Sequence, residues 1–529
     1  MSGPVRVFNI NKAIGLASSG VEYAQKYRRQ ILADIDWVDD YYVFTDYLST
    51  NVCDFTDRLG FIRSQVLWIY NLVTGRETLP STLDVAEFIA SIKQPHADPQ
   101  TQTGQTRSDQ IDLALTEAGI HYRIRTLHDR FVDRVETVVG DQLVRVEHYD
   151  QTLNNVEHFH QNKLIRRVFL APDGRVAAEQ FYQDREIVRT LITPVSPIYD
   201  RVTRQGRDRP GSFRGNVVLD GRSQFFQYVF AHLFNRPDDV VIVDRALDVI
   251  DAVYPVIGNH RLYSVVHAEH FDLKQIEDGV LLWNNHYENV FTRPDLVDGF
   301  IVSTHRQQEV LESQLALRRA HGRGPTGGFS VVCIPVGVVA QPAAQPEYDR
   351  YALVTASRLA DEKHIDILIR AVVAARRSIP ELRLDIYGEG NRDRLIALIQ
   401  ETRSEEYVRL RGHQRLDDVL GSYGLYVSAS TSEGFGLSLL EAMAEGLPIV
   451  GFDVDYGNRE LVEPGVNGQL VPYTSDDHDG TAVADVIVKV LTSESLADMR
   501  IQSLRKAEAY TAANVRKLWE DLLRGGEPC

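Results

Sequence analysis

Two glutamates eight positions apart carry the strongest chemical signal in this sequence. Glu433 and Glu441 lie in the segment ASTSEGFGLSLLEAMAEGLP, residues 429–448. An apolar run that predicts a strand precedes a glycine-rich turn, and the turn enters a predicted helix. The free N–H groups and the dipole at such a helix start favour an anion. The pattern predicts a ligand site with Glu433 before the helix and Glu441 about one turn inside it.

Other interpretations of this pair stay open. A helix cap and a solvated surface residue would produce the same spacing, because helix faces are commonly acidic. A hydrolase is disfavoured, since its two carboxylates flank the scissile bond about 5–10 Å apart. Here both glutamates belong to one strand–helix unit, which favours binding of a single ligand.

A second cluster is basic. Arg358 ends a predicted strand in ASRLADEKHID (residues 356–366), and Lys363 follows in the loop that leads to a helix. An arginine fork and a lysine point charge converging on a helix start suit a diphosphate. The alternative is an exposed loop in which Asp361 and Glu362 pair with these cations.

Glycines and histidines mark other predicted strand ends. Gly388 and His413 end two strands of the same predicted sheet, where a nucleotide can approach the backbone. Ser19 and Gly20 lie in the first strand-to-helix turn, which is neither a G-x-G-x-x-G nor a Walker A loop. A purely conformational role for Gly20 fits equally well.

The tetrapeptide HAEH contains His267 and His270 at the end of a predicted strand. A zinc site is disfavoured because no third ligand has matching spacing and H-E-x-x-H is absent. A pocket histidine or a hydrogen-bonded structural histidine both remain open. Asp453 and Asp455 resemble a metal-binding pair, but alternate residues of a strand point to opposite faces.

The predicted elements indicate an α/β protein. Strands and helices alternate up to about residue 74 and again after about residue 216, whereas short period-two runs between residues 121 and 192 indicate an antiparallel meander. We predict a strand at 65–71, a strand at 261–270, a loop at 95–110 and a linker at 335–351. The expected domains are an N-terminal Rossmann-like domain (1–74 and 206–338), a β-meander insertion (75–205), a C-terminal Rossmann-like domain (339–508) and a final helix (509–529).

Composition narrows the class of protein. The chain has 529 residues and a formal net charge of −17, which argues against a general nucleic-acid binder. Its three cysteines have no metal or disulfide spacing, and no apolar run is long enough to span a bilayer. We expect a cytoplasmic protein, with a peripheral position at the inner face of the membrane left open.

Together these motifs resemble retaining GT-B glycosyltransferases of the family-4 type. The segments FNINKAIGLASSGVEYAQKYR, VVHAEHFD, TASRLADEKHID and STSEGFGLSLLEAMAEGLPIVGFDVDYGN are most similar to the bacterial accessory Sec system glycosyltransferases, which begin O-glycosylation of serine-rich repeat adhesins. The resemblance implies two facing Rossmann-like domains and a UDP-sugar donor bound mainly by the C-terminal one. It implies no metal and no other cofactor.

The resemblance also assigns roles by position. Arg358 and Lys363 would grip the donor diphosphate, Glu441 would hold the ribose, and Glu433 would engage the sugar. His270, with His267 as second choice, would touch the transferred sugar, and the meander would hold the acceptor or a partner. The remaining implied donor contacts are Ser19, Gly20, Gly388, His413 and the backbone of Gly434, Phe435, Gly436 and Leu437.

The implied reaction moves N-acetylglucosamine, with glucose as the other option, from a UDP-sugar to Ser or Thr of a serine-rich repeat protein. A wall teichoic acid α-glycosyltransferase is one alternative, and a non-catalytic acceptor-binding subunit is another. Retention of Arg358, Lys363, Glu433 and Glu441 together favours the active enzyme. We expect a homo-oligomer or a complex with a homologous partner subunit.

Overall fold

The protein is represented by a computed structural model that describes most of the chain. By contact density it divides into two compact units, residues 1–22 with 36–264 and residues 23–35 with 265–529. The described residues are 3–12, 14, 20–92, 104–107, 110–115, 119–193, 216–277, 280–321, 329–340, 347–416, 419–474 and 479–525.

The chain begins with alternating strands and helices. These elements are β1 (Val5–Asn11), α1 (Gly20–Leu32), β2 (Val38–Phe44), α2 (Val52–Arg58), β3 (Val66–Trp68), α3 (Ile69–Thr74) and α4 (Val85–Ile92). β1 and β2 are parallel, with Val7 opposite Asp40. Both strands are largely buried, which explains their nearly continuous apolar pattern.

Within the residues that the structure describes, ten strands then form one antiparallel sheet in sequence order. They are β4 (Gly104–Arg107), β5 (Gln110–Leu115), β6 (Ile120–Leu127), β7 (Phe131–Val139), β8 (Gln142–Tyr149), β9 (Leu153–His160), β10 (Lys163–Leu170), β11 (Val176–Gln183), β12 (Glu186–Ile192) and β13 (Val217–Asp220). Positive φ at both Gln161 and Asn162, and at Asp184 and Arg185, gives hairpin turns whose twist matches that of the strands. The predicted meander is confirmed.

The α/β pattern then resumes. The elements are α5 (Gly221–Leu233), β14 (Val240–Val243), α6 (Ile250–Val253), β15 (Arg261–Val266), β16 (Phe271–Glu277), β17 (Val280–Trp283), α7 (Glu288–Thr292), β18 (Gly299–Val302), α8 (His305–Ala320) and β19 (Ser330–Cys333). In the first unit, β14 pairs in parallel with β1. In the second unit, β18 and β19 are a parallel pair.

A second α/β layer structure completes the chain. It contains β20 (Asp349–Ala356), α9 (Ile365–Ala375), β21 (Arg383–Tyr387), α10 (Asp393–Glu401), β22 (Val408–Gly412), β23 (Tyr423–Ser428), α11 (Leu437–Ala444), β24 (Ile449–Phe452), α12 (Gly457–Leu461), β25 (Gly468–Val471), α13 (Thr481–Thr492), α14 (Leu496–Ala507) and α15 (Ala512–Leu523). The six strands are parallel in the order β22–β21–β20–β23–β24–β25. One buried cluster packs α9 and α13 against this sheet, and a second packs α11.

Three local predictions differ from the structure. The strand predicted at 65–71 stops at Trp68, and the buried helix α3 replaces its second half. Gly75, in the left-handed conformation, follows the last residue of α3. The strand predicted at 261–270 stops at Val266. Of the predicted loop at 95–110, residues 104–107 form β4, while 95–103 and 108–109 lie outside the described residues.

Candidate active site

The predicted site residues follow the carboxyl ends of neighbouring strands in the six-stranded sheet. Arg358 follows β20, Gly388 follows β21, His413 follows β22, and Glu433 follows β23. Because parallel strands end at the same edge of a sheet, the fold brings these positions to one edge. This edge is where open α/β sheets bind their ligands.

Lys363 and Glu433 form the centre of this edge. The Lys363 ammonium donates hydrogen bonds to Glu433 Oε2 at 2.7 Å and to Ser430 Oγ at 3.1 Å. The lysine side chain is 15% exposed and the glutamate side chain 21%. Such partial burial strengthens the attraction between the two charges. The structure therefore joins the two motifs that sequence spacing treated separately.

Arg358 lies at the surface of the same edge. Its guanidinium is 70% exposed and hydrogen-bonds the Glu362 carboxylate at 3.0 Å. This is the exposed ion pair that the alternative interpretation of the loop anticipates, and such pairs are weak. A ligand with a larger negative charge can displace Glu362 at small cost.

The turn before α11 is built from closely packed backbone. Gly436 has φ 86°, and a Cβ on Gly434 would lie 2.4 Å from the carbonyl oxygen of His267. Phe435 is buried against Tyr510. On α11 the side chains of Leu440 and Met443 are buried as the helical spacing predicts. The turn thus holds the start of the helix at a fixed place beside the HAEH segment.

Glu441 has a partner that the sequence did not reveal. The hydroxyl of Tyr27 on α1 donates to Glu441 Oε1 at 3.3 Å. The two residues are 414 positions apart, so no local pattern could have paired them. Tyr27 lies in residues 23–35, which group with the second unit, as Glu441 does.

His270 is enclosed. It has no exposed surface, Nε2 lies 2.9 Å from Gln314 Oε1, and Nδ1 lies 3.4 Å from the Tyr456 hydroxyl. Trp283 and Phe291 also pack on the ring. Burial lowers the pKa of this imidazole to about 4, against a weaker opposing effect of the Gln314 hydrogen bond.

This enclosure bears on the choice between the two histidines. With both ring nitrogens engaged, His270 offers no ring nitrogen to a sugar in this conformation. His267 is half-buried, directly follows β15, and contacts the Gly434 turn through its carbonyl oxygen. Of the two histidines, His267, the second choice of the sequence analysis, is the more exposed.

The two aspartates considered for a metal are held by arginines. Arg459 pairs with Asp453 at 2.7 Å and with Asp455 at 2.6 Å, and Arg306 approaches Asp455 at 3.4 Å. Within the described part of the chain, no group of three or more His, Cys, Asp or Glu side chains could hold a metal ion. The carboxylates thus serve ion pairs in this structure.

The other residues predicted to contact the donor differ in their surroundings. Gly388 has φ 135°, and a Cβ there would lie 1.8 Å from the carbonyl oxygen of Ser357, so only glycine fits. His413 is exposed at the end of β22. Gly20 begins α1 in the first unit, and a Cβ there would meet nothing within 4 Å. Ser19 lies outside the described residues.

Among the residues that the structure describes, no helix combines the length and the apolar character needed to cross a membrane.

Two parallel α/β layer structures and a charged site at a strand edge define a GT-B glycosyltransferase with a β-sheet insertion. The model of the family "Glycosyl transferases group 1" matches residues 341–507, and that of the "GtfA extended beta-sheet domain" matches residues 104–191. The predicted fold class is confirmed.

Curated relatives narrow the family further. The GtfA subunit of the UDP-N-acetylglucosamine–peptide N-acetylglucosaminyltransferase of Streptococcus gordonii is 34% identical over 527 residues, covering 98% of both chains. The chain belongs to the GtfA family of glycosyltransferases. The resemblance to the accessory Sec branch is thereby confirmed.

Solved structures agree with this assignment. The pneumococcal O-GlcNAc transferase GtfA, crystallised with UDP and GlcNAc, superposes with a TM-score of 0.85 at 31% identity and 99% coverage of both chains. A GtfA/B complex gives a TM-score of 0.83 at 32% identity, covering 98% of this chain and 99% of the other. The likeness extends over the whole chain, including the β-sheet insertion.

The teichoic acid alternative is less well supported. The poly(glycerol-phosphate) α-glucosyltransferase of Bacillus subtilis is 24% identical over 402 residues, covering 74% of this chain and 54% of the relative. Both identity and coverage are lower than for the GtfA subunits.

Proposed function

We propose that this enzyme transfers N-acetylglucosamine from UDP-N-acetylglucosamine to Ser or Thr hydroxyls of a serine-rich repeat protein, with retention of configuration. The observation that carries the proposal is the Lys363–Glu433 pair at the edge of the six-stranded sheet. The pair brings a cation and a carboxylate side by side on a chain from the GtfA family, which supports this proposal. Glucose is the alternative donor sugar.

The donor contacts follow the positions of the motifs. Lys363 and Arg358 bind the diphosphate, Glu441 accepts hydrogen bonds from the ribose, and Glu433 binds the sugar. Arg358 is free to leave Glu362, because their ion pair is exposed. The other proposed contacts are Ser19, Gly20, His267, Gly388, His413 and the backbone of Gly434, Phe435, Gly436 and Leu437.

The chemistry follows from where charge develops. Negative charge accumulates on the departing UDP as the anomeric bond breaks, and Lys363, Arg358 and the N–H groups at the start of α11 stabilise it. The acceptor hydroxyl attacks the same face of the sugar, and the departing phosphate takes its proton. No protein nucleophile is required.

We propose that the reaction needs no metal ion. Lys363 and Arg358 supply the positive charge that a divalent cation would otherwise bring to the diphosphate. Asp453 and Asp455 are already paired with Arg459. Transfer should therefore proceed in the presence of EDTA.

A homologous partner subunit is part of the proposal. A solved relative is a GtfA/B complex at 32% identity to this chain. We propose that this enzyme works in such a hetero-oligomer in the cytoplasm, with a homo-oligomer as the alternative. Comparing the rate of sugar transfer with and without the partner subunit distinguishes these two alternatives.

Lys363→Ala and Arg358→Ala test the site. Each should lower the initial rate of sugar transfer by about 100-fold or more, because a group that stabilises developing charge is lost. The measurement is the rate of glycosylation of a Ser/Thr-rich peptide from UDP-N-acetylglucosamine. The exposed Lys489→Ala and Arg409→Ala are matched controls and should keep the wild-type rate.

Wild-type rates in both site variants would contradict the proposal. Loss of activity together with a lower unfolding midpoint would indicate a folding defect, so urea denaturation accompanies the assay. A wild-type chain that binds no UDP-sugar by calorimetry would favour the non-catalytic subunit instead.

A further inference from the structure

Tyr456 lies in the loop between β24 and α12 and has an unusual backbone. It is buried and has φ 79° and ψ −89°. This γ-turn region is strained for any residue with a side chain, at a cost of about 1–3 kcal/mol. Such a conformation persists only where the surrounding contacts impose it.

The backbone of this loop is attached to the Glu433 turn. Tyr456 and Glu433 form an isolated parallel bridge, and the N–H of Gly457 donates to the Glu433 carbonyl at 3.0 Å. A Cβ on Gly457 would lie 2.2 Å from the carbonyl oxygen of Phe435. The strained loop therefore fixes the backbone that carries the Glu433 carboxylate.

The side chain of Tyr456 reaches the HAEH segment. Its ring stacks on the imidazole of His270 with centroids 5.8 Å apart and planes 29° apart. Because Gln314 Oε1 can only accept, His270 carries its proton on Nε2. Nδ1 is then the acceptor for the Tyr456 hydroxyl at 3.4 Å.

We propose that Tyr456 is a positioning residue that couples two parts of the donor-sugar site, the Glu433 turn through its backbone and the His267–His270 segment through its ring. This inference rests on the proposed function. Tyr456 acts through Glu433 and His270 and is assigned no contact with the substrate. It gives a role to a loop that sequence reasoning considered only for metal binding.

Tyr456→Phe removes the hydroxyl and keeps the ring. The kcat for sugar transfer should fall about 10-fold, while the Kd for UDP, which lacks the sugar, should stay within about twofold of wild type. Tyr423→Phe is the matched control, because Tyr423 is a buried tyrosine at the start of β23 whose hydroxyl donates to Asp385. It should keep the wild-type kcat and Kd.

Gln314→Met provides a second variant that leaves Tyr456 intact. It removes the acceptor for His270 Nε2 and should also lower kcat without changing the Kd for UDP. Because both variants act through His270, the double variant should lose less than the product of the two single effects.

Three outcomes would overturn the inference: a Tyr456→Phe kcat within twofold of wild type, a loss of UDP affinity equal to the loss of kcat, or multiplicative effects in the double variant. A wild-type enzyme that transfers no sugar would instead contradict the proposed function. Failure of the inference about Tyr456 can therefore be distinguished from failure of the proposed function.

Discussion

At the scale of single residues, environment rather than residue type decides what each polar group can do. Lys363 and Glu433 are half-buried and paired, so they form a charged site. Arg358 is of the same charge type as Lys363 but lies in an exposed ion pair. His270 and His267 are three positions apart, yet only His270 is fully enclosed.

The enclosure of His270 predicts a pH-dependent stability. Its folded pKa of about 4 lies below the unfolded value of 6.5, so the unfolded chain binds the proton between these values. The stability from the neutral imidazole is complete above pH 6.5 and is lost as the pH falls towards 4, up to about 3 kcal/mol. The measurement is the free energy of unfolding from urea denaturation across this range.

His270→Gln is the comparison for this measurement, because it removes the titrating group and keeps a polar side chain. The difference in unfolding free energy between wild type and variant should shrink as the pH falls. A difference that is constant from pH 7 to pH 4 would show that His270 is not buried in its neutral form.

Sequence alone could place these residue types at strand ends but could not show which of the two histidines is enclosed. Of the aromatic side chains around His270, Phe271 is adjacent in sequence, but Trp283, Phe291 and Tyr456 come from later segments. No local pattern contains that information. The same reason explains why sequence did not reveal Tyr27 as a partner of Glu441.

At the scale of elements, the ends of the parallel strands set the geometry of the site. The helical spacing of Leu440, Met443 and Ala444 indicates one apolar face of α11, and in the structure Leu440 and Met443 are buried while Ala444 is half-buried. Sequence failed at α3, where Ile69, Tyr70 and Val73 have high strand propensity but form a buried helix. Burial of every residue in that helix outweighed the preference of these residues for a strand.

The close backbone approach at Gly388, after the end of β21, predicts a loss of stability when this glycine is replaced. Gly388→Ala should lower the unfolding free energy by about 1–3 kcal/mol more than Gly465→Ala does, as measured by urea denaturation. Both glycines have positive φ, but only at Gly388 would a Cβ collide with backbone, the Ser357 carbonyl oxygen. Equal losses in the two variants would contradict the close approach at the end of β21.

At the scale of the whole molecule, the sequence indicated the two α/β parts and the β-sheet insertion because each has its own period. Alternating strands and helices produced one pattern, and period-two runs produced the other. Motif order then led to the GT-B class, and the relatives assign the chain to the GtfA family. The donor sugar depends on pocket shape, which motifs do not encode.

Mass spectrometry of a Ser/Thr-rich acceptor peptide tests whether this enzyme transfers N-acetylglucosamine to protein hydroxyls. The peptide is incubated in EDTA with the wild-type enzyme, its partner subunit and equal amounts of UDP-N-acetylglucosamine and UDP-glucose. We predict peptides that gain the mass of N-acetylhexosamine, and no gain with Lys363→Ala. A peptide that stays unmodified, while a polyol-phosphate polymer supplied in a parallel reaction is glycosylated, would contradict transfer to a protein acceptor.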